Sequence, residues 1–193
     1  MATSARGLAG TSPAPIRFSS ALLRPESGAA WSFLLVPKAA SARLRSRGRV
    51  AVDGTMNGAA FSAVLEPDGL GSHWLKVSAK LRESAGASTG DSVAVEIVPA
   101  AMPEPRVPAD VRSALAGDAK ARAVWSDITP AARADWLHWI VTAKTAETRA
   151  RRIRNACSML AGGKRRVCCF DRSGMASRAF GAPVAARVPG RTR

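Results

Sequence analysis

The sequence predicts an α+β protein: a small closed six-stranded β-barrel from two internal strand–strand–helix–strand repeats, followed by a C-terminal helical segment and a basic tail. Three observations carry this. The stretch FSSALLRPESGAAW from Phe18 returns as FSAVLEPDGLGSHW from Phe61. Beyond Val98 the apolar pattern changes from a period of 2 to one of about 3.6. Nearly half of the formal net charge of +15 falls on residues 163–193, which contribute +7.

Residues 18–54 and 61–97 align without a gap and share ten of 37 positions. The identities include Phe18/Phe61, Leu22/Leu65, Gly28/Gly71, Trp31/Trp74 and the run Val50-Ala51-Val52 against Val93-Ala94-Val95. A repeat of this length is the signature of a duplicated structural unit.

The elements follow in order. Phe18 to Leu23 and Phe61 to Leu65 show the alternation of half-buried strands. Turn chemistry comes next, at Pro25 to Gly28 and at Pro67-Asp68-Gly69. Second strands begin at Trp31 and Trp74 and run to about Val36 and Val77. Short helices follow, one opened by Pro37 in its first turn and one by Ser78 as N-cap. Gly48 and Gly90-Asp91 turn the chain into third strands, RVAV and SVAV. Asn57-Gly58, between the copies, is a two-residue hairpin signal. One copy alone would expose strand edges and bury half a core, whereas two can close a barrel. Trp31 and Trp74 are expected as core or barrel-end anchors.

The divisions expected are a disordered lead (1–15), a barrel domain (16–100), a Pro-rich linker (101–107), a helical segment (108–162) and a disordered basic tail (163–193). In the helical segment, Pro108 to Ala116 reads as a first helix stopped at Gly117, and Asp118 caps a second reaching Trp125. Thr129-Pro130 opens a third, with Trp136, Trp139, Ile140 and Ala143 along one side. Glu147 to Leu160 makes a fourth, closed by Gly162-Gly163, with Ala150, Ile153, Cys157 and Leu160 on one face.

Composition narrows the class. No apolar run reaches 18 residues, so no transmembrane helix is expected, and the N-terminus lacks the apolar core of a secretory signal. Three cysteines, two of them the neighbours Cys168 and Cys169, give no disulfide framework and suit a reducing compartment. A cytoplasmic monomer is expected. A zinc site would need Cys157, the Cys pair and a distant His together, so neither metal nor cofactor is expected.

Candidate contact residues are basic. On the fourth helix Arg149 and Arg154 flank the apolar face and can lay their stems along it, while Arg151 and Arg152 lie on the far side without that use. These four, with His73 at an accessible turn, are the candidate contacts for an anion or partner. Arg43, Arg45, Arg47 and Arg49 form a second basic run, suited to phosphate contacts or to a solvated surface. Asp135 and His138 stand at i, i+3 and could pair. No nucleophile or acidic partner is fixed near either His by spacing, and no hydrolase, zinc-protease or nucleotide-loop motif occurs, so no catalytic residue is assigned.

Two resemblances arise from these residues. LKVSAKLRESAGASTGDSVAVEI, from Leu75, resembles the strand–helix–Gly-Asp–strand unit of swapped-hairpin regulators, which bind DNA. More extensively, residues 16–170 resemble a bacterial domain-of-unknown-function barrel followed by a YdeI/OmpD-associated helical segment, tied by name to bacteriocin protection. Trp139-Ile140, Ala143-Lys144, Thr148-Arg149, Arg152 and the Gly-Lys-Arg-Arg before Cys-Cys-Phe carry the second likeness. It implies a protective or regulatory role and carries no catalytic residues over. The expectation is a non-enzymatic binding or stress-protection module, with an acidic protein or weak, non-specific nucleic acid as the partners its charge suits. A nucleic-acid-binding regulator using the basic helix and tail is the second reading. An enzyme with its site at the barrel–helix junction, near His73 and His138, is the third.

Overall fold

The computed structural model describes residues 14–44, 46–167 and 181–186. Its strands are β1 (Ile16–Ala21), β2 (Ser32–Val36), β3 (Val50–Met56), β4 (Ala59–Pro67), β5 (His73–Val77) and β6 (Ser92–Pro99). Helix α1 (Lys38–Ser41) lies between β2 and β3, and α2 (Ala79–Ser84) between β5 and β6. Four helices follow: α3 (Ala109–Ala116), α4 (Ala119–Asp127), α5 (Pro130–Val141) and α6 (Ala146–Ala161).

All strand pairs are antiparallel, in the order β1-β6-β3-β4-β5-β2. The two ends of that order nearly meet. Past β1, Leu23 bridges Phe33 of β2, and the Ser20 hydroxyl donates to the Leu35 carbonyl at 2.8 Å. The result is a nearly closed barrel, which leaves little strand edge unpaired. Alternate residues point inward: Val93, Val95 and Ile97 from β6 meet Leu34, Val52, Leu65, Leu75 and Val77 in one buried cluster.

Local chemistry explains the turns. Asn57 and Gly58 both take positive φ, 48° and 84°, as the tight hairpin between β3 and β4 requires. Asn57 also accepts from the Ala94 amide at 2.9 Å, so the hairpin tip is held to β6. Ser78 caps α2 by accepting from the Leu81 amide. Pro37 stands at the N-cap of α1, one place ahead of the first-turn position expected for it, because its ψ of 143° is extended. At Gly54, a Cβ would fall on the Glu96 carbonyl oxygen; β3 and β6 approach too closely there for any side chain.

The helical segment has its own core. Trp136, Ile140, Ile153 and Leu160 are buried together, with Trp139 partly buried against them, as the apolar spacing predicts. Leu137 and Ala156 join them. Two details differ from the expected α6 face. Ala150 is exposed and Ala156 takes the inward place, because Ile153, Ala156 and Leu160 form the row that meets α4. Gly162 and Gly163 close the helix: the Lys164 amide reaches the Met159 carbonyl and Gly163 takes φ 83°.

Residues 1–13 of the expected lead, and 168–180 and 187–193 of the expected tail, lie outside the described residues. The described residues of that tail, 163–167 and 181–186, bond to the folded parts, the first through Gly163, Lys164, Arg165 and Arg166. Residues 181–186 run beside the turn after β1, where the Glu26 amide donates to Val184 and the Ala186 amide donates to Arg24, both at 2.8 Å. Among the described residues, no helix is long and apolar enough to cross a membrane.

Candidate functional site

His73 opens β5 opposite Val36, and the turn before it is fixed by Asp68, which accepts from the amides of Leu70 and Ser72 at 2.8 Å each. Its side chain is 1% exposed, not accessible as the turn suggests. Pairing with β2 turns the ring into the barrel, beneath α1 and the loop before β3. There Nε2 lies 2.8 Å from the Gly48 carbonyl and Nδ1 lies 2.7 Å from the Ser41 hydroxyl. Burial pushes its pKa below the usual histidine value, against the opposing pull of the Gly48 carbonyl. The neutral ring has one proton, and a carbonyl can only accept, so the proton sits on Nε2. Nδ1 therefore accepts from Ser41, and the Ser41 oxygen keeps its lone pairs as acceptors.

A cavity of about 470 Å³ opens beside Ser41, which His73 holds from behind. Lys38, Ser41, Ser46 and Arg47 supply its polar wall; Leu44 and Leu70 supply apolar surface. No acidic residue occurs among its described lining residues. Leu70 is 76% exposed, a large apolar side chain left in water at the rim. Arg47 reaches the Gly71 carbonyl at 3.5 Å across the mouth.

Arg43 and Arg49 of the basic run are used within the protein. Arg43 donates to the Pro15 carbonyl at 3.4 Å. Arg49 donates from Nε to Glu66 at 2.9 Å and from Nη2 to Nδ1 of His138 at 2.8 Å. Arg45 lies outside the described residues. Burial, with the Arg49 charge second, lowers the His138 pKa to about 4. Of the two residues that could pair at i, i+3, Asp135 lies 3.3 Å from Arg166 and His138 bonds Arg49 of the barrel. Both histidines thus border one segment, His73 at Gly48 and His138 at Arg49.

The four α6 arginines divide. Arg149 forms a two-point ion pair with Asp110 of α3, at 2.7 and 3.0 Å. That pair raises the arginine pKa and lowers the aspartate's. Arg152 corrects the expectation of a free far-side residue. Its guanidinium donates to the Trp139 carbonyl and lies 5.4 Å from the Trp139 ring centroid, because the α5–α6 turn brings that helix end within its reach. Arg151 and Arg154 are exposed and form no ion pair among the described residues.

Trp31 and Trp74 stack with centroids 6.2 Å apart and planes 25° apart, and Phe33 meets Trp74 edge-on. Lys76 lies 4.8 Å over the Trp31 ring.

Comparison with known families fits this division of the chain. Residues 18–97, the barrel, match the domain of unknown function DUF1905, and residues 104–163, the helices, match OmdA, described as Bacteriocin-protection, YdeI or OmpD-Associated. The chain is a DUF1905 domain followed by an OmdA domain. No curated protein matches it. The cavity and His73 belong to the DUF1905 domain, and His138 and the α6 arginines belong to OmdA. Lys38, Ser41, Ser46 and Leu70 escaped the sequence reading, since Ser41 and His73 are 32 residues apart and only pairing of β2 with β5 joins them. One signal existed: where the second copy has His73, the first has Ala30.

Proposed function

We propose that the protein is a non-enzymatic binding module with a protective role, and that OmdA meets an acidic partner through the outward side of α6. The observation that carries this is the division of the α6 arginines. Arg149 and Arg152 are committed to Asp110 and Trp139, whereas Arg151 and Arg154 hold their charges in water with no internal partner among the described residues. A rigid helix with two uncommitted guanidinium groups is suited to carboxylate or phosphate contacts. The structural work of both histidines favours binding over catalysis: each ring bonds the segment that joins α1 to β3. The OmdA description supports protection against a proteinaceous toxin as the setting. The test is capture of partners from the native host by the full chain and by Arg151→Ala with Arg154→Ala, with and without nuclease. Partners kept through nuclease and lost with the double change support this reading; partners lost with nuclease favour the nucleic-acid regulator.

The DUF1905 barrel is, in the same proposal, a duplication. Strand β1 pairs with β6 as β4 pairs with β3, while β2–β5 and β3–β6 join one copy to the other. A pseudo-two-fold passing between Trp31 and Trp74 accounts for that pattern.

A further inference from the structure

We propose that the cavity beside Ser41 is a binding site for an N-acylated α-carboxylate with an apolar side chain, whether the end of a peptide or a small free acid. Three properties of the wall select that chemistry. Lys38 and Arg47, with the Ser46 hydroxyl, offer donors and positive charge, and no described lining residue is acidic. A carboxylate is the group such a wall holds best. Ser41 offers the opposite. Its proton is committed to His73 Nδ1, because Nε2 must donate to the Gly48 carbonyl, so its oxygen can only accept. An amide N–H beside the carboxylate satisfies it; a bare phosphate or sulfate would set a negative oxygen against this lone pair. Leu44 and the rim residue Leu70, 76% exposed, give the apolar surface that a side chain at the α-carbon would cover.

Size agrees: about 470 Å³ holds one residue and part of the next, within the range of small-ligand pockets. The floor is preorganised. Ser41 is 5% exposed and is held by α1 and by the buried His73, itself bonded to Gly48, so little freedom is lost on binding. The residue that supports Ser41 also separates the two copies, since the first copy has Ala30 in the place of His73.

The site is remote in sequence from Arg151 and Arg154, and its test is independent of the α6 proposal. Titration calorimetry on the full chain compares N-acetyl-leucine, N-acetyl-leucinamide and a pentapeptide ending in leucine with a free carboxylate. The acid should bind at least about tenfold more tightly than the amide, and Lys38→Ala with Arg47→Ala should weaken it by about tenfold or more. Both side chains are exposed, so that variant keeps its fold, which a thermal melt checks. Leu70→Ser should weaken the leucine ligand and leave N-acetyl-glycine unchanged. Arg151→Ala with Arg154→Ala should change none of these values. A pentapeptide that binds more tightly than N-acetyl-leucine identifies a peptide end; equal binding identifies a small acid. Equal binding of acid and amide, absence of binding by both carboxylates, or indifference to the Lys38 and Arg47 changes would overturn the proposal.

Discussion

Arg49 Nη2 lies 2.8 Å from Nδ1 of His138, while Nε of the same guanidinium lies 2.9 Å from Glu66. One side chain of the DUF1905 barrel therefore grips a barrel acid and an OmdA helix at once. A guanidinium can only donate, so the contact requires His138 neutral with Nδ1 as acceptor. A proton on Nδ1 would set two cations face to face.

That requirement predicts an acid-sensitive junction. The His138 pKa is lowered to about 4 in the folded chain, against about 6.5 when unfolded. Between these values the unfolded chain binds the extra proton and the folded chain does not, so stability rises with pH through that window and is level above it. His73, lowered in the same direction by burial, adds to the slope. Urea unfolding from pH 4 to 8 should show the rise, and His138→Gln should flatten it in part. A pH-independent midpoint across that window would remove this account of the junction.

The two OmdA tryptophans on α5 should differ in cost. Trp136 is fully buried and meets Trp139 edge-on at 6.2 Å, so Trp136→Ala should cost about 3–5 kcal/mol. Trp139 is only partly buried and shares its ring with Arg152, so Trp139→Ala should cost about 2 kcal/mol. A double-mutant cycle between Trp139 and Arg152 should return a favourable coupling of about 0.5–1 kcal/mol. Chemical denaturation measures all three.

The barrel should not survive halving. Strand β1 pairs with β6 and meets β2 through the Ser20–Leu35 hydrogen bond and the Leu23–Phe33 bridge, so a chain ending at Asn57 strips β1 of its main partner. It should lack the cooperative melt and dispersed amide spectrum of a folded domain. A single substitution gives a milder version. Gly54→Ala sets a methyl group on the Glu96 carbonyl oxygen where β3 and β6 run closest, and should cost more than the ordinary penalty of 1 kcal/mol or so. Equal stability of this variant and the parent would show that the strands can part there.

How much of this was legible in the sequence depends on distance along the chain. Asn57-Gly58, Ser78, Asp118, Thr129 and Gly163 act through neighbours within five residues, and each was visible. The expectation of six strands closing a barrel came from the recurrence of Phe18 to Trp31 at Phe61 to Trp74, but not which strand pairs with which. Nothing comparable marks the site. Ser41 meets His73 only because β2 pairs with β5, and Arg49 meets His138 across 89 residues. Arg152 misled for a similar reason. Helical phase places it away from the α6 core, but the α5–α6 turn carries Trp139 to it, and phase alone says nothing of a neighbouring helix.

Charge gives the last prediction, which separates a protein partner from nucleic acid. Residues 171–193 carry five arginines against one aspartate. Binding driven by such a segment is counterion release: weak, indifferent to sequence and steeply lost with salt. Deleting 187–193 removes three of those arginines and leaves the 181–186 contacts with Arg24 and Glu26 in place, so the barrel should melt as before. Fluorescence anisotropy with a labelled duplex should then show most of the affinity gone and the salt slope shallower. Arg151→Ala with Arg154→Ala should change duplex binding by less than about twofold, because two charges on a folded helix add little to a tail-driven term. The same double change should abolish capture of the acidic protein partner, where fixed guanidinium geometry matters and charge alone does not suffice. Tight, salt-resistant duplex binding by the shortened chain, lost with the double change, would make the α6 face a nucleic-acid contact and reverse the assignment.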